Sequence, residues 1–247
     1  MIFLHASCGD IYRDTVIEPS TSVKDLGITF TDDLSWEAHI HNITKSAKKK
    51  AGWALSAFRD RSPNVMKTIY KSVVRSLLEY NCPLWYGLSL EDIRSIEAIQ
   101  RSFTDKINCP SYVEDYWDRL KYLNLMSLQR RRERYVIITM WKIFHKKVSN
   151  VLDISFYTTP RMGSCASIPP IVAGTSKAQT LYDKSFAVKG PQLWNIVDKN
   201  IKSIVTLEQF KIKLDTFLAK FPDKPPVAGY VVQNNNSLLE WGSSAYL

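Results

Sequence analysis

Between Leu34 and Ile107 the sequence carries three helical patterns in succession, joined by loops of only a few residues. Loops that short force neighbouring helices to pack against one another, so a helical bundle is the default outcome. The first pattern runs from Trp36 to Phe58 and places Trp36, Ile40, Ile43, Ala47, Ala51, Ala54 and Phe58 on one face, with Ser35 as its expected cap. The second opens on Ser62-Pro63, a cap followed by proline at the first helical position, and repeats Met66, Ile69, Tyr70, Val73, Val74, Leu77 and Leu78. The third opens on Ser89-Leu90-Glu91-Asp92, a capping-box spacing, and repeats Ile93, Ile96, Ile99, Phe103 and Ile107.

Charge is distributed unevenly over these patterns. The chain of 247 residues carries a net charge of +9, but residues 1–34 hold −4, residues 35–150 hold +10 and residues 151–247 hold +3. A basic helical middle points to a polyanionic partner, because Lys and Arg release counterions from phosphates when they bind; equally, basic residues can simply solvate helix faces. Cys8, Cys82, Cys109 and Cys165 form no Cys-x-x-Cys pair, which argues against a zinc knuckle and for a reducing compartment. Met1-Ile2-Phe3-Leu4 lacks the basic region and long apolar core of a secretory signal, and no apolar run is long enough to span a bilayer. An intracellular protein, nuclear or cytoplasmic and without membrane attachment, is expected.

The flanks read differently. Tyr12, Val16 and Ile17, then Val23, Leu26, Ile28 and Phe30, give β-prone patches within residues 2–30. A strand set that small needs another surface to cover it, so it reads as the edge of a larger sheet. A short helical patch is expected around Val113, Trp117, Leu120 and Leu123, and a fourth long helix from Leu128 to Val148 with Ile137, Ile138, Trp141, Phe144 and Val148 on one face. Residues 149–183 carry Pro160, Gly163, Pro169, Pro170 and Gly174 and read as a surface loop or linker. Helix returns at Pro191–Val197 and at Leu207–Phe221, the latter behind a Thr206-Leu207-Glu208-Gln209 capping box, and the tail from Pro222 reads as disordered. The expected organisation is β strands over 1–34, a basic helical bundle over 35–148, a loop and helical extension over 149–221, and a disordered tail over 222–247. The fold class is mostly α, with a small N-terminal β appendage and a C-terminal α-helical extension.

Several stretches carry a family resemblance when taken together and in order. Val23-Lys24-Asp25-Leu26-Gly27-Ile28 followed by Leu34-Ser35-Trp36 and His39 is one; Ile69-Tyr70-Lys71-Ser72-Val73-Val74-Arg75-Ser76-Leu77-Leu78-Glu79-Tyr80 with Trp85 is another. Ile96-Glu97-Ala98-Ile99-Gln100-Arg101, Leu120-Lys121-Tyr122-Leu123-Asn124-Leu125 with Leu128, Arg131 and Arg132, and Leu193-Trp194-Asn195 ahead of Phe210-Lys211 complete the set. Over roughly residues 11–221 the chain resembles the region just after the polymerase palm in reverse transcriptases of non-LTR (LINE-type, jockey-like) retrotransposons. The resemblance implies a thumb and C-terminal extension that grip template–primer without performing chemistry, as a piece of a longer polyprotein, a remnant or a truncated gene.

Polymerisation by such enzymes needs two metal ions held by carboxylates. Phe30-Thr31-Asp32-Asp33 has the wording of the aromatic-x-Asp-Asp turn that supplies two of them, but only 29 residues precede it, too few for fingers, most of a palm or the third Asp. Asp32 and Asp33 read instead as acids placed ahead of a helix, where they favour its dipole. Mg2+ is expected only for the missing palm, and no cofactor for this chain. His5, His39, His41 and His145 fall in no metal-ligand spacing, and no glycine-rich phosphate loop or Gly-x-Ser-x-Gly appears. The chain is expected to be no enzyme in isolation.

Binding remains. Lys45, Lys48, Lys49 and Lys50 cluster in the first helix, with Lys45 and Lys49 one turn apart. In the fourth helix Arg131, Tyr135, Thr139, Lys142 and Lys146 share a face by steps of four and three, with Arg130, Arg132 and Arg134 close by. Cations interleaved with a tyrosine suit phosphate contact with some base stacking; long basic side chains also cover apolar helix surface while their heads stay in water. The expected partner is RNA or an RNA–DNA duplex, with a separate polymerase palm as a further partner. The alternatives are a helical protein–protein module or an inert retroelement relic.

Overall fold

The computed structural model describes residues 10–12, 15–17, 20–170, 175–224 and 236–242, with the backbone alone at 10–12, 15–17 and 241–242. The strand reading over residues 2–9 and the disordered tail at 225–235 and 243–247 lie outside the described residues. Among the described residues helix far outweighs strand, so the fold is mostly α.

Two antiparallel hairpins open the chain: β1 (Asp10–Tyr12) with β2 (Thr15–Ile17), and β3 (Ser22–Asp25) with β4 (Ile28–Thr31). The second hairpin turns on Leu26-Gly27, whose φ angles of 45° and 85° are the left-handed pair that lets a two-residue loop follow the twist of its strands. It covers itself with α1 (Glu37–Ala57): Ile28 is buried, the Thr29 amide donates to His39 Nδ1 at 3.3 Å, and Phe30 packs on Trp36. Ser35 is not the cap of α1. The cap position is Trp36, without a side-chain bond, because Asp33 draws the Ser35 amide (3.0 Å) and the Thr31 hydroxyl (2.7 Å) into its own turn.

α1 buries Ile40, Thr44, Ala47, Ala51 and Ala54, and the small alanines let the following helices approach closely. The second pattern is helical throughout but in three pieces: α2 (Pro63–Ile69), a π-helical segment (Tyr70–Arg75) and α3 (Ser76–Glu79). Ser62 holds the cap position, yet its hydroxyl donates to Asp60 (3.1 Å) instead of capping. α4 (Leu90–Thr104) starts with the capping box read from its sequence: the Asp92 amide donates to Ser89 Oγ at 3.1 Å and Asp92 bonds back to the Ser89 amide. α5 (Tyr116–Tyr122) is capped by Asp115, and α6 (Leu128–Phe144) by Ser127.

One apolar core runs from Ile28 to Leu128, and a second from Val136 to Leu238, so α6 belongs to both. It also ends at Phe144, not Val148: Lys146 adopts φ 53° and Val148 is exposed. The second core stacks Trp141 on Phe210 (5.4 Å) and brings in Trp194, Leu214 and Phe217. The expected loop at 149–183 instead contains a hairpin, β5 (Phe156–Thr159) with β6 (Gly163–Ala166), and α7 (Ser176–Lys184). α8 (Phe186–Ile196), α9 (Lys199–Lys202) and α10 (Leu207–Leu218) follow. Asn195 of α8 clasps β6 by bonds to both the amide and the carbonyl of Ala166. Thr206 makes no capping bond to α10.

The described part of the tail is also ordered against the body, contrary to the expectation for 222–247. Asp223 accepts from the amide and hydroxyl of Ser127, and Glu133 accepts from Ser237 Oγ (2.8 Å) and the Leu238 amide (2.9 Å) at the start of α11 (Leu238–Gly242). Among the described residues no helix is long and apolar enough to cross a membrane.

Two buried carboxyls give this packing a pH signature. Burial pushes Glu97 and Glu133 up to about 7, above their ordinary 4.5. The folded state therefore holds these protons more tightly than the unfolded chain, so the two groups favour folding most below about pH 4.5 and progressively less as pH rises to about 7. Glu97→Gln and Glu133→Gln should each flatten the decline of urea-melt stability between about pH 5 and 7; an unaltered slope would refute the assignment. Independently, a Cβ on Gly87 would stand 2.5 Å from the Lys184 carbonyl oxygen, so Gly87→Ala should cost about 1–3 kcal/mol, read as a lower urea midpoint at unchanged m.

Candidate nucleic-acid interface

The four lysines of α1 are all exposed, but they do not act as one cluster, because successive residues on a helix point about 100° apart. Lys45 and Lys49, one turn apart, line the same groove of about 490 Å³ together with Lys24 of β3, and among the described residues no carboxylate lines it. Lys48 faces a different and larger groove of about 1190 Å³, where Glu37, Glu91 and Asp92 offset it. Lys50 turns toward Trp53, its Nζ 6.0 Å from the ring centroid.

The basic row of α6 is divided more sharply. Arg130 is 1% exposed: it lies 3.4 Å from Glu133 and donates to the Pro222 carbonyl at 2.9 Å, so it fastens the C-terminal segment and is out of reach of a ligand. Arg132 is buried as well. Arg134 forms a two-pronged pair with Asp215 of α10. Lys142 is half-buried and Lys146 exposed beyond the helix end, so the expected five-residue face ends with the helix. Arg131 and Tyr135 remain, and they open onto a third groove.

That groove, of about 450 Å³, runs between α6 and the π-helical segment and is lined by Lys71, Arg75, Glu79, Tyr80, Arg131 and Tyr135 among others. Glu79 is its central carboxylate. Arg131 grips it with two nitrogens, the second at 2.8 Å, Tyr135 donates to it at 3.2 Å, and Arg75 Nε lies 3.5 Å away. Burial works against the charge of Arg131, but the Glu79 bonds outweigh it and its pKa rises. Arg75 has no such bond; burial and the neighbouring Arg131 charge lower its pKa, and its Nε is buried without a hydrogen-bond partner. Lys71 is lowered in the same way, by burial and then by Arg75, Lys67 and Arg131. Two arginines thus share one carboxylate while Lys71 lines the same groove without an ion pair to it, which leaves an excess of positive charge in an open groove.

Tyr80 lines both the Lys24–Lys45–Lys49 groove and the Lys71–Arg75–Arg131 groove, so the two share this residue. Lys24, Lys71, Arg75 and Tyr80 were not among the residues expected to bind. The spacing Lys67, Lys71, Arg75 was available as a row of steps of four; Lys24 and Tyr80 enter only because the hairpin packs beside α3. Near the N-terminus, the Asp33 carboxyl is held below its ordinary range by the Ser35 amide and the Thr31 hydroxyl, which occupy it in the turn before α1. Among the described residues no group of His, Cys, Asp and Glu could hold a metal ion.

Comparison of the chain with known protein families, with curated proteins and with solved structures finds no match.

Removal of the shared carboxylate tests the charge excess. Glu79→Ala leaves Arg75 and Arg131 facing each other beside Lys71 and should lower stability by on the order of 3 kcal/mol. Inorganic phosphate should restore more stability to this variant than to the unaltered chain; equal effects would mean that the three cations do not form one site.

Proposed function

We propose that this chain is a non-catalytic, backbone-gripping module of the kind found C-terminal to the palm in a retroelement RNA-directed DNA polymerase. Its ligand is template–primer RNA or an RNA–DNA duplex, held without base-specific readout. The observation that carries the reading is the junction of the two grooves: Lys24, Lys45 and Lys49 on one side of Tyr80, and Lys71, Arg75 and Arg131 on the other. Six cations spread over two adjoining grooves, with Glu79 the one carboxylate among the described lining residues, suit a chain of phosphates better than a compact ligand, since each neutralised phosphate releases condensed counterions. The ordered sequence resemblance over residues 11–221 supports the polymerase context. In that context the metal-binding carboxylates belong to a separate palm, and this chain supplies grip alone.

One feature favours a second reading, a protein–protein module: Trp53 is 55% exposed and meets Phe58 edge-to-face at 6.2 Å near the end of α1. Salt separates the two readings. Fluorescence anisotropy with a labelled RNA–DNA duplex should give a log–log salt slope of about −3 to −5, and Lys45→Ala with Lys49→Ala should make it shallower by roughly 2. A slope near zero would reject phosphate contact and favour the protein-docking reading.

A further inference from the structure

Tyr80 is in an unusual position for a surface aromatic. It follows α3 directly, where the chain leaves the helix with φ −57° and ψ 120°. Its hydroxyl donates to the Leu26 carbonyl at 3.1 Å, in the β3–β4 turn, and its ring edge stands 3.7 Å from where a Gly27 Cβ would be. The neighbouring backbone is fixed as well, because Trp85 Nε1, on a fully buried ring, donates to the Tyr80 carbonyl at 3.0 Å. The ring is therefore held at both ends, yet the residue remains 55% exposed. A surface tyrosine ordinarily loses rotamer freedom when a ligand stacks on it, and here that freedom is already gone.

We propose that Tyr80 is a stacking platform for an unpaired nucleobase, with phosphates on either side of that base held by Lys45 and Lys49 in one groove and by Lys71 and Arg75 in the other. The inference rests on the backbone-binding reading above and adds a preference within it, for a strand segment that has left its duplex. The charges do not distinguish paired from unpaired strands; the ring does, because a base inside a duplex offers no free face. Sequence preference is not implied, since every base has a stackable face.

The test is anisotropy at constant salt with a single-stranded RNA of roughly 12 nucleotides and with the same RNA paired to its DNA complement. Tyr80→Leu should weaken single-strand binding about tenfold and leave duplex binding within about twofold. Tyr80→Phe, which keeps the ring and loses the bond to Leu26, should lose roughly threefold in single-strand affinity, less than Tyr80→Leu. A purely structural role for Tyr80 would weaken both ligands equally in Tyr80→Leu; equal losses, or no loss, overturn the platform. If neither ligand binds the unaltered chain at low salt, the backbone-binding reading fails instead. Thermal melts of both variants show whether the fold is retained, and Gly27→Ala, strained at φ 85° beside the ring, serves as a second probe that should reduce the single-strand preference without touching a cation.

Discussion

Glu97 accepts the amide of Leu128 at 2.9 Å, and Glu133, on the helix that Leu128 begins, accepts the amide of Leu238 at the same distance. These two carboxylates join the halves of the molecule to α6, one from the first core and one toward the second. Neither is exposed, so each must keep its partners or suffer an uncompensated desolvation cost. Glu97 is further held by Tyr116 (2.5 Å) and Gln100 (3.2 Å), and Glu133 by Ser237 and by Arg130. With α6 anchored at both levels, the groove beside it, lined by Arg131 and Tyr135, has one fixed wall.

The arginines of α6 show how one helix divides a run of like residues among different duties. Arg130 turns inward to the C-terminal segment, Arg131 to Glu79, Arg132 into the core and Arg134 to Asp215. Their partners lie between three and about a hundred residues away in the chain. Helical periodicity identifies which arginines can share a face, but it is silent about what faces them. For this reason the grouping of Lys45 with Lys49 could be read in advance, whereas the loss of Arg130 and Arg134 to internal pairs could not.

The same division runs through the fold. The four long helical patterns were legible because their apolar residues recur with helix spacing, and the Ser89–Asp92 capping box was legible because both bonds are local. Ser35 and Thr206 look like caps in isolation but make no capping bond, because side-chain oxygens have competing local partners or none in reach. The β5–β6 hairpin and α7 were hidden: the strands are four residues each, and α7 buries no residue fully, so neither imprints a hydrophobic period. The described part of the tail is held by Asp223, Asn236 and Ser237, polar residues that look solvent-bound in sequence until Ser127 and Glu133 are placed beside them.

Met66, Tyr70, Val74 and Leu78 recur every four residues, and all four are at most 1% exposed. In a regular α-helix that interval drifts by about 40° per step, so the column would spiral away from the core. The wider turn from Tyr70 to Arg75 takes up part of the drift and keeps the column closer to straight. What straightens the inner column also straightens the outer one, Lys67, Lys71, Arg75 and Glu79. Its charges then climb with less spiral than an ordinary helix of the same composition would give them, with rungs about 6 Å apart.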